Sequence, residues 1–436
     1  MNNNTKSYVE WFRNSAPYIN ANRNKTVVLM MSGEAAAHAQ FKTIIHDIAL
    51  LNSLGVKLVI VHGARSQIDQ RLQERGVVSQ FHQGLRVTDE QTLVCVKEAV
   101  GALRSEIEAL LSMGLANSPM HGARLRVCSG NFVIAKPVGI RDGVNFGHTG
   151  EVRRVDCMAI KQQLDQGAIV LLPPIGFSPT GEVFDLSAED LATETAIALG
   201  ADKLILMCAD KGASTDGSLI RELNTQEAEQ LLVEATQTDE INRYLTAACH
   251  ACHAGISRVH LVSYQEDGAL ITELYTRDGA GTLVAVKSYE QLRQANINDV
   301  GGIIELIRPL EKQGVLVRRS RELLEKEIDR FCVIERDGAV IACAALYPFD
   351  HDKTGELACF VVHPDYRNKS RGDQLLAHVS KQAKTQKLNR LVVLTTQAAH
   401  WFLERGFEQS EVASLPKGKQ MLYNWQRNSS VFELCL

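Results

Sequence analysis

Residues 359–376 read CFVVHPDYRNKSRGDQLL. An apolar, β-prone run ends at His363-Pro364, a polar loop with basic residues and one glycine follows, and apolar residues then recur at helical spacing. This pattern predicts a strand, a short loop and a helix. Backbone N–H groups at a helix start, backed by the positive end of the helix dipole, favour phosphate groups. We therefore expect a phosphate site in this loop, where Gly372 lets the backbone approach the ligand.

The loop carries the spacing Arg367-x-x-Ser370-x-Gly372. Its composition alone would fit an ordinary strand-to-helix turn with a solvated basic loop. The spacing resembles the acetyl-CoA-binding motif of the GNAT-type N-acetyltransferase superfamily, Gln/Arg-x-x-Gly-x-Gly/Ala, with Ser370 in place of the first glycine. The resemblance implies that the pyrophosphate of acetyl-CoA binds the loop and that the pantetheine arm pairs with the strand before it. The implied cofactor-binding residues are Phe360, Val361, Val362, Arg367, Asn368, Ser370, Arg371, Gly372 and Asp373.

The overall composition is ordinary for a folded protein of about two or three domains, given a length of 436 residues. The net charge of −4 gives no basic field that would favour nucleic acid. No apolar run approaches the ~18 residues needed to cross a membrane. The first six residues lack the apolar core of a signal peptide, so we expect a cytoplasmic protein whose ten cysteines are reduced.

The segment Cys249-His250-Ala251-Cys252-His253 matches the C-x-x-C-H pattern of haem attachment. Haem attachment would require export, and zinc would need two further ligands at suitable spacing. We interpret the segment as part of a helix of small residues and predict no metal site.

Residues 1–285 alternate between buried strands and amphipathic helices, which predicts an α/β domain with an open, mostly parallel sheet and helices on both faces. Residues 59–64, 196–206 and 208–212 resemble the amino-acid kinase family, in particular its acetylglutamate kinase branch. Family kinases carry a lysine shortly before paired glycines, but no lysine stands between Thr26 and Glu34. Phosphoryl transfer needs cations where charge develops. The domain is therefore predicted to bind or regulate rather than to act as a kinase.

The end of this domain resembles the arginine-sensitive acetylglutamate kinases, which implies L-arginine as an inhibitor. The matching positions are His260, Glu273, Gly279 and Gly281. A carboxylate such as Glu273 can bind a guanidinium with two hydrogen bonds, and carbonyls near the glycines can accept the remaining N–H groups. The alternative is a surface salt bridge beside a plain turn.

An amphipathic helix at residues 8–19 precedes the first strand. It packs either on its own domain or on a neighbouring subunit, and periodicity does not separate the two. The resemblance implies a homo-oligomer, such as a hexameric ring built from dimers.

Residues 286–436 predict a smaller α+β domain of the GNAT type. The expected elements include a helix that Pro309 terminates, a short strand at 316–319, a hairpin turn at Asp337-Gly338 and a last strand at 420–425. Phe402 stands where many members of the superfamily carry a tyrosine acid.

The combination of the two domains resembles the family of bacterial N-acetylglutamate synthases over nearly the full length. The resemblance implies transfer of the acetyl group of acetyl-CoA to the α-amino group of L-glutamate, the first step of arginine biosynthesis, with feedback inhibition by L-arginine. The rivals are an amino-acid kinase, a non-catalytic arginine sensor and an acetyltransferase for another amine. The sequence separates the last of these least well.

The acceptor amine must lose a proton, and Glu356 is the candidate base, acting directly or through one water. The alternative is a strand-end glutamate that faces solvent. A backbone N–H near residues 360–362 would stabilise the oxyanion. Either Thr395, Thr396 or water would protonate the departing thiolate.

Glutamate carries two carboxylates, so the site needs cations. Arg318 and Arg319 would point to opposite faces of the predicted strand, so only one of them can enter the cleft. Arg427 is a second candidate.

Overall fold

The computed structural model describes residues 3–113, 120–286, 290–336, 338–367, 370–421, 423 and 429–436, without the side chains of residues 3–7 and 10. The chain divides into two units, Met1–Ser288 and Tyr289–Leu436. In the described part of the chain, no helix is both long and apolar enough to cross a membrane.

The helices of the first unit are α1 (Asn3–Asn22), α2 (Gly33–Ala37), α3 (Phe41–Ser53), α4 (Arg65–Glu74), α5 (Glu90–Leu111), α6 (Cys157–Asp165), α7 (Ala188–Leu199), α8 (Thr225–Glu234), α9 (Asp239–His253) and α10 (Ala269–Tyr275). Its strands are β1 (Thr26–Met31), β2 (Lys57–His62), β3 (Gln80–His82), β4 (Leu85–Val87), β5 (Val127–Cys128), β6 (Val133–Pro137), β7 (Ile140–Arg141), β8 (Val144–Asn145), β9 (Gly150–Val155), β10 (Ile169–Leu172), β11 (Ile175–Phe177), β12 (Val183–Asp185), β13 (Lys203–Cys208), β14 (Ser214–Thr215), β15 (Ser218–Leu219), β16 (Glu222–Asn224), β17 (Val259–Ser263) and β18 (Thr282–Ala285).

The main sheet of this unit has the strand order β16-β18-β17-β13-β1-β2-β10-β5. Neighbouring strands run parallel, except that β18 is antiparallel to β17. Val28 and Met30 of β1 belong to a buried cluster with α6, α7 and α9, whereas Val27 and Leu29 belong to one with α3, α4, α5 and α10. The predicted mostly parallel sheet with helices on both faces is therefore confirmed.

Smaller sheets complete the unit. One has the order β12-β11-β6-β9, and three two-stranded ribbons pair β3 with β4, β7 with β8 and β14 with β15.

The first helix is longer than predicted and packs on its own unit through its C-terminal end. The side chain of Asn22 donates to the carbonyl of Leu274 (2.9 Å) and accepts from Lys203 (2.7 Å). Its N-terminal half instead exposes large apolar side chains. These are Tyr8, Trp11 and Phe12, which are 66%, 43% and 55% exposed.

The C-x-x-C-H segment lies in α9, as predicted. The thiols of Cys249 and Cys252 are buried and point to the carbonyls of Thr225 and Val284 (3.8 and 3.6 Å). Across the described ranges, no group of three or more His, Cys, Asp or Glu side chains is placed to hold a metal ion.

The helices of the second unit are α11 (Val300–Lys312), α12 (Arg321–Glu327), α13 (Arg371–Thr385), α14 (Ala399–Leu403) and α15 (Lys417–Gln420). Its strands are β19 (Glu290–Gln294), β20 (Phe331–Arg336), β21 (Ala339–Phe349), β22 (Thr354–Val362), β23 (Arg390–Thr395), β24 (Glu408–Ser410) and β25 (Ser430–Cys435). Short 3-10 helices lie at Ile297–Asp299, Ile328–Arg330, Asp350–Asp352, Pro364–Tyr366 and Val412–Ser414.

The sheet of this unit has the order β19-β20-β21-β22-β23-β25-β24. Only β22 and β23 pair in parallel among its described strands, and their pairing runs from Thr354↔Arg390 to Leu357↔Val393. Beyond that point β22 pairs with β21 as far as Val362, while β23 pairs with β25 as far as Thr395. The two central strands therefore stop pairing before they end, and an edge of β22 is left at their carboxyl ends.

Three predicted features of this unit are wrong. Pro309 lies inside α11 and its carbonyl accepts from Gln313, which closes a further turn. Residues 316–319 form no strand, because the N–H groups of Val315 and Leu316 return to the carbonyl of Leu310 and that of Arg319 bonds to Glu311.

The predicted strand at 420–425 also fails where the structure describes it. Gln420 ends α15 and Met421 lies in a turn, while residues 422, 424 and 425 fall outside the described ranges. The last strand is β25 instead.

Gly281→Ala should destabilise the first unit. A Cβ at this position would lie 1.9 Å from the backbone oxygen of Leu261 in the buried strand β17, which cannot move aside cheaply. We expect a loss of about 1–3 kcal/mol in the free energy of unfolding, measured by urea denaturation.

Gly101→Ala is the matched control, because nothing lies within 4 Å of a Cβ there and the residue is in the middle of α5. It should stabilise the same unit by up to about 1 kcal/mol. Equal urea midpoints for the two variants would contradict the packing described here.

Candidate functional sites

The loop between β22 and α13 has the geometry of an anion site. Ser370 precedes α13 in the left-handed conformation (φ 53°) and caps no N–H group with its side chain. Left-handed backbone favours glycine, so Ser370 occupies a glycine-like position. The N–H groups of the first turn of this 15-residue helix have no side-chain cap, which is the arrangement that binds phosphate.

Gly372 has a structural role that the sequence did not reveal. A Cβ at this position would lie 2.8 Å from a ring carbon of Trp401. The guanidinium of Arg405 lies 3.9 Å from the centroid of the same ring and pairs with Asp373. The absence of a side chain at Gly372 therefore lets the indole of Trp401 pack against the start of α13. The ion pair with Asp373 holds the guanidinium of Arg405 over the same indole ring.

The predicted phosphate ligands of this loop have different surroundings. Arg367 is exposed, and its Nε donates to the carbonyl of Val362 (3.4 Å). Arg371 is buried; its guanidinium pairs with Glu290 and donates to the carbonyl of Tyr366 (2.9 Å). Arg371 can thus bind a phosphate group through its backbone N–H but not through its side chain. Asn368 lies outside the described residues.

Glu356 is buried in β22, with 7% of its surface exposed, so it does not face solvent. It lies opposite Tyr347 of β21, whose ring packs on a cluster that includes Cys359 and Val361. Cross-strand neighbours share a face, so Glu356 lies on the face of the sheet that α11 and α12 cover. The ammonium of Lys419 lies 2.5 Å from its Oε1.

A β-bulge follows Glu356 in the same strand. Ala345 pairs with Ala358 but Cys343 pairs with Val361, so β22 has one residue more than β21 over this stretch. Cys359 adopts a left-handed conformation there (φ 48°). A bulge leaves backbone groups unpaired and re-aims the strand, so residues 359–361 are placed to offer an N–H group to a ligand.

Arg319 and Arg318 differ in their surroundings. Arg318 is exposed, whereas Arg319 is half-buried near Tyr347, Cys359 and Glu356. Burial opposes the charge of Arg319, but the influence of these three groups outweighs it and raises the pKa of the guanidinium. Arg319 is therefore the arginine of the two whose charge is influenced by Glu356. Arg427 lies outside the described residues.

Thr395 ends β23, on the side where β22 and β23 no longer pair. Its hydroxyl oxygen accepts from the N–H groups of Gln397 (3.3 Å) and Ala398 (3.0 Å), which fixes the side chain. Thr396 is exposed.

A second cluster lies in the first unit, where β17 meets α10. The imidazole Nδ1 of His260 lies 2.6 Å from Oε1 of Glu273, and both side chains are nearly fully buried. The other carboxylate oxygen accepts from the N–H groups of Ala280 (2.6 Å) and Gly281 (2.8 Å). Gly279 is required here, because a Cβ would lie 2.4 Å from that oxygen.

Protonation in this pair is set by burial and hydrogen bonding. Burial alone would raise the pKa of Glu273, but His260 and the two backbone N–H groups outweigh it and lower the pKa to about 2. An unfolded glutamate has a pKa of about 4.3, so the stability from Glu273 is present above that pH and is lost as the pH falls towards 2.

The imidazole of His260 offers an acceptor to a ligand. Burial lowers its pKa, and the bond to Glu273 offsets part of that shift, so the ring is neutral near pH 7. Its Nδ1 carries the proton towards the carboxylate and its Nε2 is an acceptor. No described residue donates to that buried Nε2.

Carbonyls beside this cluster accept guanidinium N–H groups already. One guanidinium nitrogen of Arg221 donates to the carbonyl oxygens of Asp278 (3.1 Å) and Gly279 (3.0 Å). Each carbonyl has a second lone pair, so the turn can accept further donors.

The first unit also contains a cleft of about 380 Å³ where the strands β1 and β2 end. Residues 32–34 and 63–65 form part of its wall, and no lysine lies among its described lining residues. Asp185 lies in the wall and its pKa is raised to about 6, mainly by burial, although Thr88 donates a hydrogen bond to it. The sequence analysis found the resemblance of residues 59–64 to the amino-acid kinases but missed Asp185, because nothing in a short strand marks its one carboxylate as buried.

Comparison with known proteins agrees with both units. Residues 25–263 match the amino acid kinase family and residues 302–407 match the acetyltransferase (GNAT) family. The amino-acid acetyltransferase of Azotobacter vinelandii is 56% identical over 432 residues, which cover 99% of this chain and 100% of that protein. The enzyme of the same name from Ectopseudomonas mendocina is 56% identical over 430 residues, covering 98% and 99%.

Solved structures show the same likeness. N-acetylglutamate synthase from Neisseria gonorrhoeae, complexed with coenzyme A and L-arginine, has a TM-score of 0.88 and 36% identity, covering 98% of this chain and 99% of that one. Its complex with coenzyme A and N-acetyl-glutamate has a TM-score of 0.63, 37% identity and the same coverage. The predicted kinase-like and GNAT-type folds are thereby confirmed, and the chain belongs to the amino-acid acetyltransferase family.

Proposed function

We propose that this chain transfers the acetyl group of acetyl-CoA to the α-amino group of L-glutamate, giving N-acetyl-L-glutamate and CoA. The observation that carries the proposal is the position of Glu356, a buried carboxylate at the point where β22 and β23 stop pairing. The phosphate-binding geometry before α13 lies at the end of the same strand. The Neisseria structures, which hold coenzyme A with N-acetyl-glutamate or L-arginine, support this assignment.

In the proposed reaction Glu356 takes a proton from the glutamate ammonium, directly or through one water. The amine nitrogen then attacks the thioester carbon, and the C–N bond forms while the C–S bond breaks. An N–H group at the bulge, near Phe360, stabilises the oxyanion. Thr395 delivers a proton to the departing thiolate, with Thr396 and water as the other candidates.

Binding of the two substrates uses different parts of the second unit. The CoA pyrophosphate takes the N–H groups at residues 370–373 together with Arg367, and the pantetheine arm pairs with the edge of β22 at residues 360–362. A carboxylate of glutamate pairs with Arg319, and Arg427 stays a candidate for the other.

The first unit, residues 1–285, is proposed to be regulatory. L-arginine would place its guanidinium against Glu273 and the acceptor Nε2 of His260, beside the turn at Gly279 and Gly281. With inhibition by arginine, the enzyme would catalyse the first step of arginine biosynthesis in the cytoplasm under feedback control. The exposed aromatic residues of α1 would lie between subunits of a homo-oligomer, such as a hexamer.

Thiol release from acetyl-CoA tests the reaction directly. Purified protein should release CoA with L-glutamate, and L-arginine should suppress the release. Glu356→Gln should lower kcat by about 10²–10⁴-fold, because it removes the base. Glu408→Gln, in the short strand β24, is the control and should leave the rate unchanged. Turnover with another amine but not with glutamate would mean that the chemistry is right and the substrate is wrong.

Glu273→Gln tests the arginine site. Loss of the carboxylate charge should weaken arginine binding at least about tenfold and make the rates with and without arginine alike. The readout is arginine inhibition of thiol release at fixed glutamate. Glu229→Gln on α8 is the control and should keep the inhibition. Undiminished inhibition in Glu273→Gln would place the arginine site elsewhere.

Arg319→Met tests recognition of glutamate. We expect KM for glutamate to rise by about 30-fold or more, because a half-buried charge loses its partner, with KM for acetyl-CoA unchanged. Arg318→Met, at the exposed neighbour, should have a much smaller effect. Equal effects of the two substitutions would contradict a role of Arg319 in glutamate binding.

A further inference from the structure

Glu356 is paired with a cation that sequence reasoning missed. The Nζ of Lys419 lies 2.5 Å from its Oε1, and the lysine side chain is 22% exposed. Lys417-Gly418-Lys419 reads as a solvated basic segment, and nothing in its spacing marks one lysine as turned inward.

Lys419 and Arg319 belong to different elements of the second unit. It lies in α15, and that segment packs on β23 and β25 through Leu415 and Tyr423, which share a buried cluster with Val392 and Val431. The N–H of Lys419 donates to the carbonyl of Pro416 (2.8 Å). Arg319 instead precedes α12, so the two cations near Glu356 come from separate elements.

This ion pair conflicts with the chemistry proposed for Glu356. The ammonium is bonded to Oε1 of the carboxylate that is proposed to accept the amine proton, so that oxygen is not free to accept it. Buried ion pairs also add little stability, so folding alone is a weak reason for one here.

An α-amino acid acceptor carries a group that can replace Glu356 as the partner of Lys419. A base must lie within about 3 Å of the amine that it deprotonates. The α-carboxylate is separated from that amine by a single carbon, so it comes within reach of any cation that touches Glu356. The carboxylate can therefore take over the Lys419 ammonium while the amine takes its place at Glu356.

Resting on the proposed function, we propose that Lys419 binds the α-carboxylate of the acceptor amino acid and keeps Glu356 inactive as a base until the acceptor arrives. Without acceptor, Lys419 neutralises Glu356, and water near the thioester is not deprotonated. With acceptor bound, the ammonium moves to the α-carboxylate and Glu356 accepts the amine proton. Arg319 then recognises the side chain of the acceptor.

The proposal predicts a side reaction when Lys419 is removed. Glu356 would deprotonate water, whose oxygen attacks the thioester carbon; the C–O bond forms, the C–S bond breaks, and the thiolate is protonated. The products are acetate and CoA, and no further reactant is needed.

The test compares Lys419→Met with the wild type on L-glutamate and on its α-amide, which lacks the α-carboxylate. The wild type should prefer L-glutamate strongly. In Lys419→Met, KM for L-glutamate should rise by about 30-fold or more and the preference over the α-amide should nearly disappear. Acetate release from acetyl-CoA without acceptor should rise at least about tenfold.

Two variants separate this role from a structural one. Lys417→Met, at the exposed lysine of the same helix, should match the wild type in all three measurements. Lys419→Arg keeps the positive charge and should therefore keep the preference for L-glutamate over the α-amide. If Lys419 served only packing, this preference would not depend on its charge. A preserved preference in Lys419→Met would overturn carboxylate binding, and unchanged acetate release would overturn the control of Glu356.

Failure of the proposed function is recognised separately. If the wild type acetylates a different α-amino acid, the same comparison is made with that acid and its α-amide, because the α-carboxylate is common to all of them. If the wild type acetylates no α-amino acid, both proposals are overturned.

Discussion

Parallel pairing between β22 and β23 is the constraint on which the second unit depends, because it ends at Leu357 while both strands continue. Each strand is then held by its other neighbour, so the edge at their carboxyl ends stays open without loss of the sheet. Glu356 lies in the last paired stretch, and the bulge at Cys359 follows at once. Without the extra residue, every later side chain of β22 would turn to the opposite face. The bulge thus decides which side chains face α13 and which face α11.

The alternation of strands and helices, and the strand–loop–helix at 359–376, were predictable because periodicity and turn chemistry are local. Three features were not. Residues 316–319 looked like a strand, yet their backbone bonds return to α11 through contacts that only the folded chain brings together. Arg371 looked like a phosphate ligand, but β19 supplies Glu290 for it from 81 residues away. Lys419 was not predicted as a site residue, because its partner Glu356 lies on a distant strand. Pairing across long separations leaves no periodic mark in a sequence.

The first unit contains a cleft whose described lining residues include no lysine. Its strands β1 and β2 end in small-residue turns, and arginines and acidic residues are among those that line the cleft. A buried ionic pair of this unit lies elsewhere, between β17 and α10, where Glu273 and His260 are in contact. This ionic pair lies towards the opposite end of the sheet order from β10 and β5, beside the antiparallel pair β17 and β18.

Glu290 sets a limit on how the two units can be divided. It is the first residue of β19, and its carboxylate holds the buried guanidinium of Arg371 at the start of α13. A protein cut after this residue would leave Arg371 as a buried charge without that carboxylate, at the foot of the helix whose first turn has the anion-binding geometry. A fragment intended to fold alone must therefore begin before residue 290. Fusions that exchange the first unit must join upstream of the same position.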